Sequence, residues 1–398
     1  MSDPIVIVSV ARTPIGAMSG ELSSFAAHQL GSHVIRAAVE RAGLAPEAVQ
    51  EVIMGCVLPA GQGQAPARQA VRGAGLPDSA GATTINKVCG SGMKAAMLAH
   101  DLLVAGSQDV IVAGGMESMS NAPYMMLKGR SGYRYGHGTL FDHMALDGLE
   151  DAYEKTPNGG GKSMGQFAED CVGKYAFTRE AQDAYAIAST ERARRANDDG
   201  SFAWEIAPLV VAGRKGDVTI GKDESPYKAN VEKIPTLKPA FRKDGSVTAA
   251  TSSSISDGAA AMVMMRASTA EQLGVKPIAR LVAHATHSQE PQWFTTAPVG
   301  AIAKLYAKTG WSSSTVDLFE INEAFAVVAM AAMKEHGLPH EKVNVHGGAV
   351  ALGHPIGASG ARLIVTLLGA LRKTGGRRGI ASLCIGGGEA TAVALERL

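Results

Sequence analysis

Two stretches of this chain, far apart in sequence, follow one plan. Pro4-Ile5-Val6-Ile7-Val8 is echoed by Pro277-Ile278-Ala279-Arg280-Leu281-Val282. Gly90-Ser91-Gly92 opens a small-residue helical stretch, and so does Gly357-Ala358-Ser359-Gly360-Ala361-Arg362. The buried-strand pattern from Asp109 to Glu117 resembles that from Gly379 to Glu389. Such self-similarity is the mark of an internally duplicated α/β unit. Two pseudo-equivalent halves would bring the turn at Cys89 and the strand end at Cys384 to one interface.

Within the first half, strands and helices alternate. Strands are expected at Ile5–Val10, Glu51–Gly55, Thr83–Val88 and from Asp109, with helices over Ala26–Ala42, near Ala65–Gly73 and over Gly92–Val104. Residues from about 118 to 248 differ in character. Lys128–Gly138 and Thr156–Lys162 read as loops, and Arg179–Asn197 as a polar amphipathic helix with Thr178 as its N-cap. The expected organisation is an N-terminal half over 1–119, completed by about 249–270, an inserted loop domain over 120–248, and a C-terminal half over 271–398. The basic residues of 128–134 fit a solvated loop, or contact with a neighbouring subunit or a phosphate.

The net charge of +1 gives no reason to expect nucleic acid or an anionic membrane as a partner. Only 5% of residues are aromatic while 47 are glycine, which suits closely packed helices and turns. The four cysteines, Cys56, Cys89, Cys171 and Cys384, are widely separated and form no CxxC pair, which argues against zinc and against a disulfide framework. No apolar run reaches membrane-spanning length, the first residues lack the form of a signal peptide, and Glu396-Arg397-Leu398 is no peroxisomal address. A reducing cytoplasm is the expected setting.

The residues that carry chemistry sit among glycines. In Asn86-Lys87-Val88-Cys89-Gly90-Ser91-Gly92-Met93, Cys89 is expected at a helix N-terminus, where free N–H groups and the helix dipole lower a thiol pKa of about 8.5 toward neutrality. Its reading as a nucleophile competes with that of a cysteine buried in a tight turn. His354, in Gly353-His354-Pro355-Ile356-Gly357, is held by a turn and suits a general base better than a core histidine. Asn322-Glu323-Ala324-Phe325 follows a strand over Val316–Ile321, and its polar pair reads as a helix cap or as catalytic groups. Thr248–Ala260 reads as a hydroxyl-rich turn leading into a helix-like alanine run.

Taken together, Asn-Lys-Val-Cys-Gly-Ser-Gly-Met-Lys-Ala, Asn-Glu-Ala-Phe, Gly-His-Pro-Ile-Gly-Ala-Ser-Gly and Cys-Ile-Gly-Gly-Gly resemble, in order and spacing, the motifs of the thiolases. The resemblance runs the full length, including Gly213-Arg214-Lys215-Gly216-Asp217. It implies a duplicated α/β fold with a layered αβαβα core and an inserted loop domain. It implies Claisen condensation of two acetyl-CoA to acetoacetyl-CoA and CoA, with thiolysis in reverse. Cys89 would carry the acyl group, His354 would assist it, and Cys384 would move the α-proton. His354 and a water held by Asn322 would form one oxyanion hole, and the N–H groups of Cys89 and Gly386 the other. Ser253 matches a position touching pantetheine, and Met164, Phe241 and Phe325 match the pocket wall. No metal or redox cofactor is implied, because coenzyme A enters as substrate. A homodimer or homotetramer is implied, the latter built by the loop near Ser120–Leu140, and with it a place in fatty acid metabolism.

This chain departs from short-chain thiolases where Ser163 precedes Met164, where Phe294 replaces a common methionine, and at Thr251-Ser252-Ser253-Ser254. These positions leave a broader 3-ketoacyl-CoA thiolase of fatty-acid degradation as an alternative. A carrier-protein condensing enzyme would carry histidines in place of Asn322 and Cys384, and a non-catalytic acyl-CoA-binding protein would not need both cysteines. Gly90-x-Gly92-x-x-Ala95 followed by Asp109 mimics a dinucleotide fingerprint, but on the third strand-to-helix turn rather than the first.

Overall fold

The computed structural model describes residues 3–157, 160–213 and 216–398. Arg214 and Lys215 of the loop motif, and Asn158 and Gly159 of the Thr156–Lys162 loop, lie outside the described residues. The central strands are β1 (Ile5–Arg12), β2 (Glu51–Gly55), β3 (Gly81–Ile85), β4 (Val110–Ser118), β5 (Ser256–Arg266), β6 (Ala279–Ser288), β7 (Leu318–Ile321), β8 (Arg378–Ile385) and β9 (Glu389–Arg397). The main helices are α1 (Ala27–Ala42), α2 (Pro66–Gly73), α3 (Ser91–Val104), α4 (Met164–Tyr175), α5 (Arg179–Asp198), α6 (Ala297–Thr309), α7 (Ala326–His336) and α8 (Ile356–Thr374).

The strands form one sheet in the order β7-β8-β9-β6-β1-β5-β4-β2-β3, with the short strand Gly16–Ala17 added against β5. Its symmetry shows when it is read outward from the β1·β6 join. One way runs β1-β5-β4-β2-β3, and the other β6-β9-β8-β7, followed by a single parallel bridge from Phe319 to Val343 where the fifth strand would stand. Parallel pairs occur at matching places, β2 with β3 and β4 in one half and β7 with β8 in the other. The duplication seen in sequence is thus a duplication of topology.

Both faces of the sheet are buried, which explains the near-continuous apolar runs. Along β1, Ile5 and Ile7 enter the core shared by α3 and α8, while Val6 and Val8 enter the core under α1 and α2. In β8 the same alternation sends Ala381 and Leu383 to the shared core and Ile380 to the core of α6 and α7. Three helical layers therefore sandwich two sheet halves. The central helices touch through glycine. A Cβ at Gly92 of α3 would lie 2.8 Å from the Ala361 nitrogen, and one at Gly360 of α8 would collide with the Met93 backbone.

Among the described residues, the segment between β4 and β5 adds no strand to this sheet; it holds α4, α5 and three two-stranded ribbons. Thr178 caps α5 as expected, its hydroxyl accepting from the Ala181 N–H at 3.1 Å. Lys128, Arg130 and Arg134 are exposed.

Two expectations are corrected. The run after Thr248 is not a helix: one short turn, Ala249–Thr251, leads into β5, whose alanines and methionines are fixed as strand by pairing with both β1 and β4. The strand expected to reach Val88 stops at Ile85, because the next residues build the turn that presents Cys89.

Candidate active site

Cys89 stands on a strained turn. Val88 has φ of +45°, a left-handed conformation costly for a β-branched residue. Three short bonds hold it there. The Asn86 Oδ1 accepts from the Val88 N–H at 2.8 Å, and the Ser91 hydroxyl accepts from the Lys87 N–H at 2.8 Å while donating to the Val88 carbonyl at 2.6 Å. Lys87 also forms an ion pair with Glu389, tying this turn to the glycine loop after Cys384. The N–H groups of Gly386 and of Cys89 itself are aimed at the sulfur.

The thiol is not acidic. Burial pushes its pKa up to about 11, against the opposing pull of those two N–H groups and with a smaller upward push from Glu117. The expected shift toward neutrality is reversed, because desolvation of a thiolate outweighs the two donors.

His354 begins the turn into α8, the pseudo-equivalent of the Cys89 turn into α3. Its Nδ1 lies 2.6 Å from the Ser359 hydroxyl, and its Nε2 lies 3.4 Å from the Asn322 amide nitrogen. Burial and the nearby Arg362 push its pKa down to about 3, so the imidazole is neutral. Asn322 is fully buried, and its Oδ1 has no partner. A buried orphan acceptor of this kind suits a bound water.

One cavity of about 340 Å³ gathers most of the expected residues. Cys89, His354 and Gly386 line it together with Met164, Ser253, Phe241, Phe294 and Phe325. Asn322 and Cys384 do not line it. Asn322 stands behind His354, and Cys384 is fully buried at the end of β8, packed with Phe294 and Phe325. Burial and the neighbouring Cys89 raise the Cys384 thiol well above its ordinary pKa.

The wall is rigid. The Phe241 and Phe325 rings meet edge to face at 5.8 Å, as do Phe294 and Phe167 at 6.1 Å. Phe241 covers Gly165, where no larger residue fits. The Ser253 hydroxyl and N–H both donate to the Ala324 carbonyl, at 2.9 and 3.0 Å, fastening the hydroxyl-rich turn to the Asn322–Phe325 segment.

Two family models cover this architecture. Residues 5–268 match "Thiolase, N-terminal domain" and residues 275–397 match "Thiolase, C-terminal domain". The chain belongs to the thiolase family. It is 51% identical over 397 residues to acetyl-CoA acetyltransferase 2 of Arabidopsis thaliana, covering 99% of this chain and 97% of that protein. It is 47% identical over 400 residues to an acetyl-CoA acetyltransferase of Allochromatium vinosum, with full coverage of both. The crystal structure of Acat5 thiolase from Ascaris suum in complex with coenzyme A superposes with a TM-score of 0.93 at 42% identity, covering 99% of this chain and all of that one.

The structure of this thiolase adds residues that sequence reasoning missed. Glu117, at the end of β4, is fully buried and accepts from the N–H groups of Val57, Leu58 and Gly357 at 3.0, 3.2 and 2.9 Å. Burial raises its pKa to about 7 despite those donors. It pins the His354 turn of one half to the other half. The only hint in sequence was an acid closing an apolar strand. Glu323, noticed only beside Asn322, is fully buried and accepts from Tyr185, Ser189 and Asn344, each at 2.8 Å, so it fastens α5 to the segment leading to His354.

Proposed function

We propose that this thiolase, an acyltransferase, converts two acetyl-CoA into acetoacetyl-CoA and CoA, and runs thiolysis in reverse, through an acyl group on Cys89. The observation that carries this reading is one cavity holding Cys89, a neutral His354 and the Gly386 N–H, with Cys384 behind Cys89. Cys89 Sγ attacks the thioester carbonyl as its proton passes to His354 Nε2. The CoA thiolate leaves and takes the proton of Cys384. The Cys384 thiolate then removes an α-proton from the second acetyl-CoA. The enolate carbon attacks the acyl carbonyl, expelling the Cys89 thiolate, which recovers its proton from His354. Every proton is returned at the end of the cycle.

The N–H groups of Cys89 and Gly386 serve the oxyanion on the acyl group, and protonated His354, with a water on Asn322, serves the enolate oxygen. Each such donor contributes about 10²–10³ in rate. Coenzyme A is substrate, and the route needs no resident cofactor. The closed aromatic wall of Phe294, Phe325 and Phe241 favours a four-carbon product over longer chains.

The deciding experiment is CoA-dependent thiolysis of 3-ketoacyl-CoA substrates of increasing length, with Cys89→Ala and Cys384→Ala run beside the parent. Cleavage confined to acetoacetyl-CoA supports the reading, and comparable rates on long chains replace it with a broad 3-ketoacyl-CoA thiolase. Cys89→Ala is expected to form no acyl-enzyme, whereas Cys384→Ala forms it and fails to condense. Binding of CoA without turnover, or turnover only with carrier protein, would reject it.

The same reading assigns this chain to fatty acid metabolism in a reducing cytoplasm, where its four free cysteines stay reduced. It also assigns a homotetramer built on a homodimer. Tyr124, Met126, Leu127, Tyr135 and Leu140 expose large apolar surface on one loop, which suits burial against other copies. Light scattering of the parent and of Leu127→Asp tests this, and a dimer for the parent rejects the tetramer.

A further inference from the structure

Away from the catalytic cavity, two imidazoles converge on one carboxylate oxygen. His100 and Asp101 lie in the C-terminal part of α3, and His284 lies in β6. The Asp101 Oδ1 is 2.8 Å from His284 Nε2 and 3.1 Å from His100 Nδ1, and the two rings meet edge to face at 5.1 Å. One ligand atom from each residue falls within 4.8 Å of the other two. The imidazoles are sheltered, 19% and 18% exposed, whereas the Asp101 side chain is 54% exposed. The open side gives an ion a way in and leaves room for water to complete its coordination.

We propose that His100, Asp101 and His284 form a binding site for a first-row divalent transition-metal ion, with zinc the fitting case. The donor set selects the class. Two imidazole nitrogens with one carboxylate oxygen suit zinc and its neighbours, whereas magnesium and calcium take oxygen ligands throughout. Zinc bonds of 2.0–2.2 Å in a tetrahedron hold donors about 3.3 Å apart, so the two oxygen–nitrogen separations would open by about half an ångström or less, and the two nitrogens already lie within 4.8 Å of each other. Lys308, whose ammonium donates to the His284 carbonyl at 2.7 Å, opposes the ion, as do Arg266 and Arg280, which share a surface pocket with His100.

The site joins the two halves of the fold. Helix α3 carries the Cys89 turn at its other end, and β6 opens the second half, so a bound ion staples first half to second without touching the reacting atoms. An ion bound only by the folded chain raises its stability by mass action.

The test uses the full chain, freed of metal with a chelator and carboxamidomethylated so that thiolates take up no zinc. Titration with zinc alone by calorimetry is expected to show one ion per chain, with a rise in Tm. His100→Gln and His284→Gln, made separately, are each expected to weaken binding about tenfold or more while leaving thiolysis by the unalkylated protein unchanged. Cobalt in place of zinc gives a visible absorption band that each variant should lose. No saturable zinc uptake, or equal affinity in the parent and both variants, overturns the proposal.

Discussion

The Ser359 hydroxyl donates its one proton to the Pro355 carbonyl at 3.0 Å, so toward His354 Nδ1, 2.6 Å away, it can only accept. That fixes the tautomer. Nδ1 carries the proton, and Nε2 keeps the lone pair that a base acting on Cys89 requires, facing the Asn322 amide N–H at 3.4 Å in the resting site. Ser359→Ala is expected to lower kcat for thiolysis about tenfold, the equivalent of ~1.4 kcal/mol, with little change in KM. Steady-state kinetics measure it, and an unchanged kcat would show that packing alone orients the ring.

A second prediction follows from the protonation states of the pair. With the thiol near pKa 11 and the imidazole near 3, the resting site holds two neutral groups, not a thiolate and an imidazolium. The thiolate fraction of Cys89 should therefore rise about tenfold per pH unit through the neutral and mildly alkaline range. Alkylation of Cys89 by iodoacetamide, followed by mass spectrometry between pH 6 and 10, should rise without levelling off. A plateau near neutrality would mean that the helix N-terminus and Gly386 outweigh burial after all.

That reversal shows where the sequence stops being informative. The strands were legible because a sheet covered on both faces writes itself as apolar runs, and the glycine-flanked Cys89, His354 and Cys384 were legible because close backbone approach requires glycine. The alanine run after Thr251 was misread because alanine suits a helix, and only pairing on both sides makes it strand. The Cys89 pKa could not be read, since it depends on how completely the cavity excludes water. Glu117 was invisible as a site residue because its partners come from residues 57, 58 and 357, and no local pattern links them.

The contact between the halves is intolerant of a single methyl group. A Cβ at Gly115 would collide with the Gly357 carbonyl, which is backbone and cannot swing aside. Gly115→Ala is expected to destabilise by about 1–3 kcal/mol or more and to displace the His354 turn. Gly173→Ala is the opposite case, in α4 with open space around it, and should stabilise by up to ~1 kcal/mol. Urea midpoints of the two variants should move in opposite directions from the parent, and a neutral Gly115→Ala would show that the halves can slide apart at little cost.

Acid sensitivity should be traceable to a histidine outside the catalytic cavity. His346 is buried against the edge of Phe202, its Nδ1 has no partner, and burial lowers its pKa to about 4. The unfolded chain takes up a proton there below pH 6.5, whereas the folded chain refuses it until about pH 4. Its contribution to stability is therefore whole above 6.5 and is lost as the pH falls toward 4, at ~1.4 kcal/mol per pH unit, roughly 3 kcal/mol across the window. His346→Gln removes this proton from the balance. Relative to the parent, the variant should gain by roughly that amount between pH 6.5 and 4, whatever the substitution costs at pH 7.5. Urea unfolding at several pH values measures the difference, and parallel curves for parent and variant would show that His346 finds a proton-sharing partner in solution.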